Sequence, residues 1–171
     1  MINTPLAVER WTLRLLWGFT LVAIAGFATF GLHPELLARV PSVAWMYGPA
    51  FELFASGQVW MAWSALALIL WSRAGGLWLT AFGATYLISL GSELAGTTFG
   101  FPFGAYEYTA LMEPQWFGRV PIVIPLSWFY MAVASYGLAG ELGRRLPGAF
   151  RGKRVAVAAL VLTAWDLSLD P

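Results

Sequence analysis

The chain has no cysteine and a single histidine among 171 residues, which excludes disulfides, zinc–thiolate sites and thiol nucleophiles. Charge is nearly as scarce. Asp, Glu, Lys and Arg make up 11% of the residues, against about a quarter in a typical soluble domain. The net charge of +1 leaves no basic field, so a nucleic-acid partner is not expected. The sequence also lacks a Walker-type phosphate loop, a dinucleotide fingerprint, an HExxH helix and a serine-nucleophile elbow. What fills the space is apolar. Hydrophobic residues reach 59% and mean hydropathy is +0.68. The 10 Trp and 12 Phe suit interfacial belts and sites for large apolar ligands.

Gaps between charges mark out the spans. Leu15–Pro34, Leu53–Ser72, Ala74–Ser92 and Val120–Gly140 hold no Asp, Glu, Lys or Arg. Each approaches or reaches the roughly 20 residues a helix needs to cross hydrocarbon. A fifth apolar stretch begins at Val155 and meets Asp166. Arg10 and Arg14 precede the first run as in a signal peptide, but the run is long enough to span and no small-x-small cleavage site closes it convincingly, so it reads as a retained helix. The expected fold is an all-α, polytopic transmembrane bundle in one integral membrane domain, 1–171. Its helices are expected near 11–32, 51–72, 75–98, 121–143 and 153–171. Gly75-Gly76 forms a tight link between the second and third.

Eight of the ten basic residues fall in the N-terminal flank, the second link and the fourth link; Arg39 and Arg119 are the other two. The positive-inside rule then puts the N-terminus in the cytoplasm, in the plasma (inner) membrane. Helix direction gathers Glu52, Glu93, Glu107, Asp166 and Asp170 toward the non-cytoplasmic half. His33 and the carboxylates Glu9, Glu35, Glu113 and Glu141 read as solvated flank or link residues, and Trp60, Trp63 and Trp71 as packing and belt.

An ionised carboxylate in hydrocarbon costs a few kcal/mol or more, so Glu93 must be neutral, paired or turned to a wet cavity. Helical spacing puts Tyr86, Ser89, Glu93 and Thr97 on one stripe. That stripe either serves chemistry or glues helices together. Asp166 and Asp170 stand one turn apart, where like charges retain a proton or share a cation, unless Asp170 has reached the interface as a cap. The third link, from Gly96 to Thr109, is too apolar for a solvated loop and too rich in Gly and Pro for a straight helix. It reads as a re-entrant or lid-like segment, or as an aromatic anchor at the interface. Pro121 suits a first helical turn, and Pro125 is expected to kink the fourth span.

Three stretches resemble one family in the same order. Glu93-Leu94-Ala95-Gly96-Thr97-Thr98-Phe99-Gly100-Phe101-Pro102-Phe103-Gly104-Ala105-Tyr106-Glu107-Tyr108-Thr109 is similar to the signature of the CruF-type carotenoid hydratases. Val120–Phe129 looks like the proline-interrupted helix that follows it. Thr163–Pro171 resembles the family's aspartate motif. The resemblance implies a membrane enzyme that adds water to the terminal double bond of an acyclic carotenoid, with no cofactor and no metal. Its partners would be the hydrophobic carotenoid, the lipid bilayer and other membrane enzymes of the same pathway. Family members run past the aspartate motif, so the chain is expected to be the N-terminal part of a longer protein.

Alkene hydration begins with a proton and ends with one, so it needs a carboxyl that holds its hydrogen and a second that handles water. Glu93 and Asp166 are assigned that pair, with Asp170 in support. Tyr86, Thr97, Phe103, Tyr106, Tyr108, Trp128 and Trp165 are assigned to substrate binding, because aromatic faces stabilise a carbocation. Other readings stay open. A carotenoid cyclase would use the same protonation, a prenyltransferase would bind Mg²⁺ at the aspartate pair, and a transporter or proton relay would also place carboxylates in the membrane.

Overall fold

The computed structural model describes residues 7–101, 104–109, 112, 114–145 and 153–169. The chain divides into two compact units, Met1–Leu126 and Ser127–Pro171.

The first unit opens with α1, Ala7–Gly26, which widens into a π-helical turn at Phe27–Gly31 that Leu32 N–H closes onto Phe27 O at 3.0 Å. Two short helices follow. α2 (Pro34–Arg39) starts on its proline and α3 (Pro41–Ala44) on the next, the position where a missing N–H costs nothing. α4 spans Tyr47–Ala74. It packs against α1 through Phe19 and Phe54, whose rings lie 4.7 Å apart. Thr20 and Gln58 exchange hydrogen bonds across the same seam. Gly57 has no side chain where a Cβ would stand 2.9 Å from the Phe19 ring.

Glu9 departs from the solvated reading. It is 4% exposed; Ser72 Oγ donates to it at 2.7 Å and Arg73 at 3.2 Å. α1 carries the carboxylate inward onto the end of α4, where the acceptor needs partners once water is excluded. His33 and Glu35 pair with each other in the open, as a link should.

Gly75, with φ 59°, ends α4 and donates to Trp71 O at 3.0 Å, a backbone conformation that favours glycine. α5, Trp78–Phe99, then runs back along α4. Trp63 of α4 meets Phe82 at 5.6 Å, and Phe82 continues to Trp78 and Tyr86 along α5. Trp63 is therefore a packing residue, as the composition suggested.

Gly100, at φ 71°, stops α5 and donates to Gly96 O. Beyond it the chain forms a hairpin that the all-α expectation did not contain. β1 (Gln115–Trp116) pairs antiparallel with β2 (Val120–Pro121) in the register Gln115↔Pro121 and Trp116↔Val120. The intervening turn gives Phe117 a φ of 53° and Gly118 a φ of 63°, the positive pair that a type I′ turn requires.

α6 begins at Val123 and runs to Arg145, into the second unit. The expected start near 121 was early, because Pro121 is held in β2. That shift removes the expected kink. Pro125 is the third residue of the helix, within a first turn whose N–H groups have no intrahelical acceptor, so its ring displaces no bond. In the second unit, α7 covers Arg154–Leu169. Arg154 lies 3.7 Å over the Tyr136 ring and donates to Tyr136 O. Glu141 pairs with Arg144 and Arg145.

Among the described residues, Ala7–Gly31, Tyr47–Ala74 and Val123–Arg145 are long and apolar enough to cross a membrane. α5, at 22 residues, has the length but is not among them. α7 is described over 16 residues.

Candidate functional site

The stripe read from α5 has one sheltered side. Ser89 and Glu93 are buried and Tyr86 and Thr97 half-buried, whereas Leu87 and Ile88 are 68% and 74% exposed. The apolar residues on the open side need no polar partner. Those on the sheltered side do, and the segment after α5 supplies two.

Glu93 is 5% exposed. Tyr106 donates to its Oε2 at 2.5 Å and Tyr108 to the same atom at 2.8 Å. The two rings meet edge-on, 5.6 Å apart. Gly104, at φ 93°, donates to Gly100 O, so a glycine pair turns the chain back onto the helix it has just left. Gly96 lets it come close: a Cβ there would lie 2.6 Å from the Tyr106 hydroxyl oxygen. Burial, followed by the charge of Glu93, pushes the Tyr108 phenol well above its ordinary value near 10. Tyr108 therefore keeps its hydrogen and acts as a donor.

The same turn of α5 holds the hairpin. Thr97 Oγ1 donates to Glu93 O at 2.9 Å, and Arg119 donates to Thr97 O at 3.1 Å. Trp116 donates its indole N–H to the Tyr86 hydroxyl at 2.8 Å. A pocket of about 320 Å³ opens beside this cluster, lined by Thr97, Glu107, Tyr108, Phe117, Gly118 and Arg119. Ser89 Oγ is buried and has no hydrogen-bond partner among the described residues.

Of the residues assigned from the sequence, Glu93, Thr97, Tyr106 and Tyr108 come together, and Tyr86 joins them through Trp116. Trp128 on α6, and Trp165 and Asp166 on α7, belong to the second unit. Trp165 is exposed and Asp166 half-buried there. Phe103 and Asp170 lie outside the described residues. Sequence reasoning missed Gly96, Trp116 and Arg119. Gly96 stands three residues after Glu93, on the same helix face, and Arg119 is one of two basic residues off the basic side. Both signals were present but ambiguous.

The apolar helices mark a membrane protein, and one of its helices carries a buried carboxyl held by two phenols. Residues 54–171 match the family described as carotenoid biosynthesis protein. The chain belongs to that family. It is also 30% identical over 141 residues to the bisanhydrobacterioruberin hydratase of Haloarcula japonica, covering 82% of this chain and 44% of that protein. The chain thus spans less than half the length of that relative. No solved structure matches.

Proposed function

We propose that the chain carries the acid–base centre of a carotenoid hydratase, which adds water across the terminal C=C of an acyclic end group without a cofactor. The supporting observation is the buried Glu93 carboxyl with Tyr106 and Tyr108 donating to one of its oxygens. A carboxyl hydrogen passes to the less substituted alkene carbon, leaving a tertiary cation. Water oxygen bonds to that cation, and the surplus proton returns to a carboxylate. Atoms and charge balance, and nothing is oxidised.

Asp166 is proposed as the second carboxyl, with Asp170 in support. Phe103, Trp128 and Trp165 join the tyrosines in holding the polyene. Aromatic faces favour the cation by about 0.5–2 kcal/mol each. On this reading α5 and α7 also cross the inner membrane, giving five spans with the N-terminus in the cytoplasm. The segment between α5 and α6 is then the re-entrant or lid-like cover of the site.

Expressing the full-length gene in cells that make an acyclic carotenoid tests the reading. The pigment should gain the mass of one water. Glu93→Gln and Asp166→Asn should each lower that product about 10²–10⁴-fold, the usual worth of a general acid or base, while the protein still accumulates. A pigment of unchanged mass but altered spectrum would mean cyclisation and would overturn hydration.

A further inference from the structure

The pocket beside Glu93 differs from what a polyene needs. Its wall is made of Thr97, Glu107, Tyr108, Arg119 and the Phe117–Gly118 turn, so polar and charged groups predominate. Its volume of about 320 Å³ far exceeds the roughly 10–15 Å³ that admits one water. Tyr108 belongs to two places at once, since it lines the pocket and its hydroxyl donates to Glu93 Oε2. The wall is fastened to the carboxyl's own helix by Arg119 on Thr97 O and by Thr97 on Glu93 O.

We propose that this pocket is the aqueous vestibule through which water reaches the Glu93 carboxyl, with Tyr108 as the positioning residue at its inner end. The hairpin turn forms the outer wall. Phe117 is 77% exposed and held at φ 53°, a conformation rare for an aromatic residue, and it gives the polar pocket an apolar edge. The polyene end group would then approach the carboxyl from the lipid and water from the vestibule, so the two reactants need not share an entrance. The need for a water inlet rests on the hydratase reading; the wetness of the pocket does not.

These 171 residues hold no cysteine, so once any cysteine elsewhere in the full-length protein is replaced, each introduced thiol reports alone. Single variants Thr97→Cys and Ile88→Cys are prepared in the full-length protein, in membranes open to both sides, and treated with a charged methanethiosulfonate. Thr97→Cys should react at least tenfold faster than Ile88→Cys, whose site is more exposed in the protein but faces lipid. Its adduct should lower kcat for hydration at least tenfold relative to the same variant unmodified, with KM for the carotenoid little changed. Tyr108→Phe should show the same split, lower kcat at steady KM. Equal labelling rates would overturn the vestibule. Fast labelling with undiminished hydration would overturn its role as the inlet. A product isomeric with the substrate would overturn the hydratase reading, and the inlet with it, whatever the labelling shows.

Discussion

At the scale of single residues, the site depends on one carboxyl, two phenols and one missing methyl group. A hydrogen bond contributes on the order of 1 kcal/mol, so Tyr106→Phe should weaken the hold on Glu93 by about that much. Gly96→Ala is the sharper variant. Its added carbon would meet the Tyr106 hydroxyl and ring at 2.6–3.0 Å, so Tyr106 must leave Glu93. Ala favours a helix over Gly by up to about 1 kcal/mol, so the helix itself should not suffer. Gly96→Ala is therefore expected to accumulate normally and lose at least tenfold in activity, measured by product mass per unit protein. Full activity would show that the Tyr106 contact is dispensable. Tyr108 makes a separate prediction. Its folded phenol is raised above the unfolded value of 10.0, so its contribution to stability is complete below about pH 10 and is lost as pH rises beyond it. In an alkaline ultraviolet titration of the six tyrosines, Tyr108 should be among those that ionise last. Tyr108→Phe should reduce the late amplitude by one tyrosine.

At the scale of elements, what the sequence disclosed follows from how far each signal extends. Charge gaps of about twenty residues outlined α1, α4, α5 and α6, because a long apolar helix is a cumulative signal. The Tyr86–Thr97 stripe was legible for the same reason: periodicity accumulates over three turns. The hairpin was not, because strands of two residues carry no alternation. Its one strong mark, a turn with two positive φ values, begins on Phe117, a residue that does not advertise it. The late start of α6 was hidden too, since Pro121 fits a first turn and a strand end equally well. Glu9 failed for a different reason: a carboxylate in a terminal flank looks solvated until Ser72 and Arg73 are known to reach it. That contact joins α1 to the end of α4. Arg73 is 58% exposed, so the ion pair itself contributes little. The greater loss in Glu9→Ala would be the part-buried Ser72 bond, and the expected destabilisation is on the order of 1 kcal/mol. A lowered thermal midpoint in detergent would register it, and Glu9→Gln should recover part of the loss by accepting from Ser72.

At the scale of the whole molecule, the question is how an apolar chain arranges its few charges across a bilayer. α1 and α4 meet with Glu9 beside Arg73, so the N-terminal flank and the α4–α5 link share one end of that pair. The proposed orientation places this end in the cytoplasm. If α5 also crosses, its polar stripe must be sheltered by protein, because Glu93 would otherwise stand in lipid at a cost of a few kcal/mol. The fold-back of Tyr106 and Tyr108 onto Glu93 supplies part of that shelter, so the segment after α5 and the insertion of α5 depend on each other. Cysteine accessibility can test the arrangement on the full-length protein. An impermeant thiol reagent added outside intact cells should label Glu107→Cys, whereas Arg145→Cys should react only after permeabilisation, since α6 separates the two. The reverse pattern would invert the orientation. Labelling of both from one side would mean that α6 does not cross. The buried carboxyl would then be held at the surface rather than within the membrane, and a polyene could not reach it from the lipid.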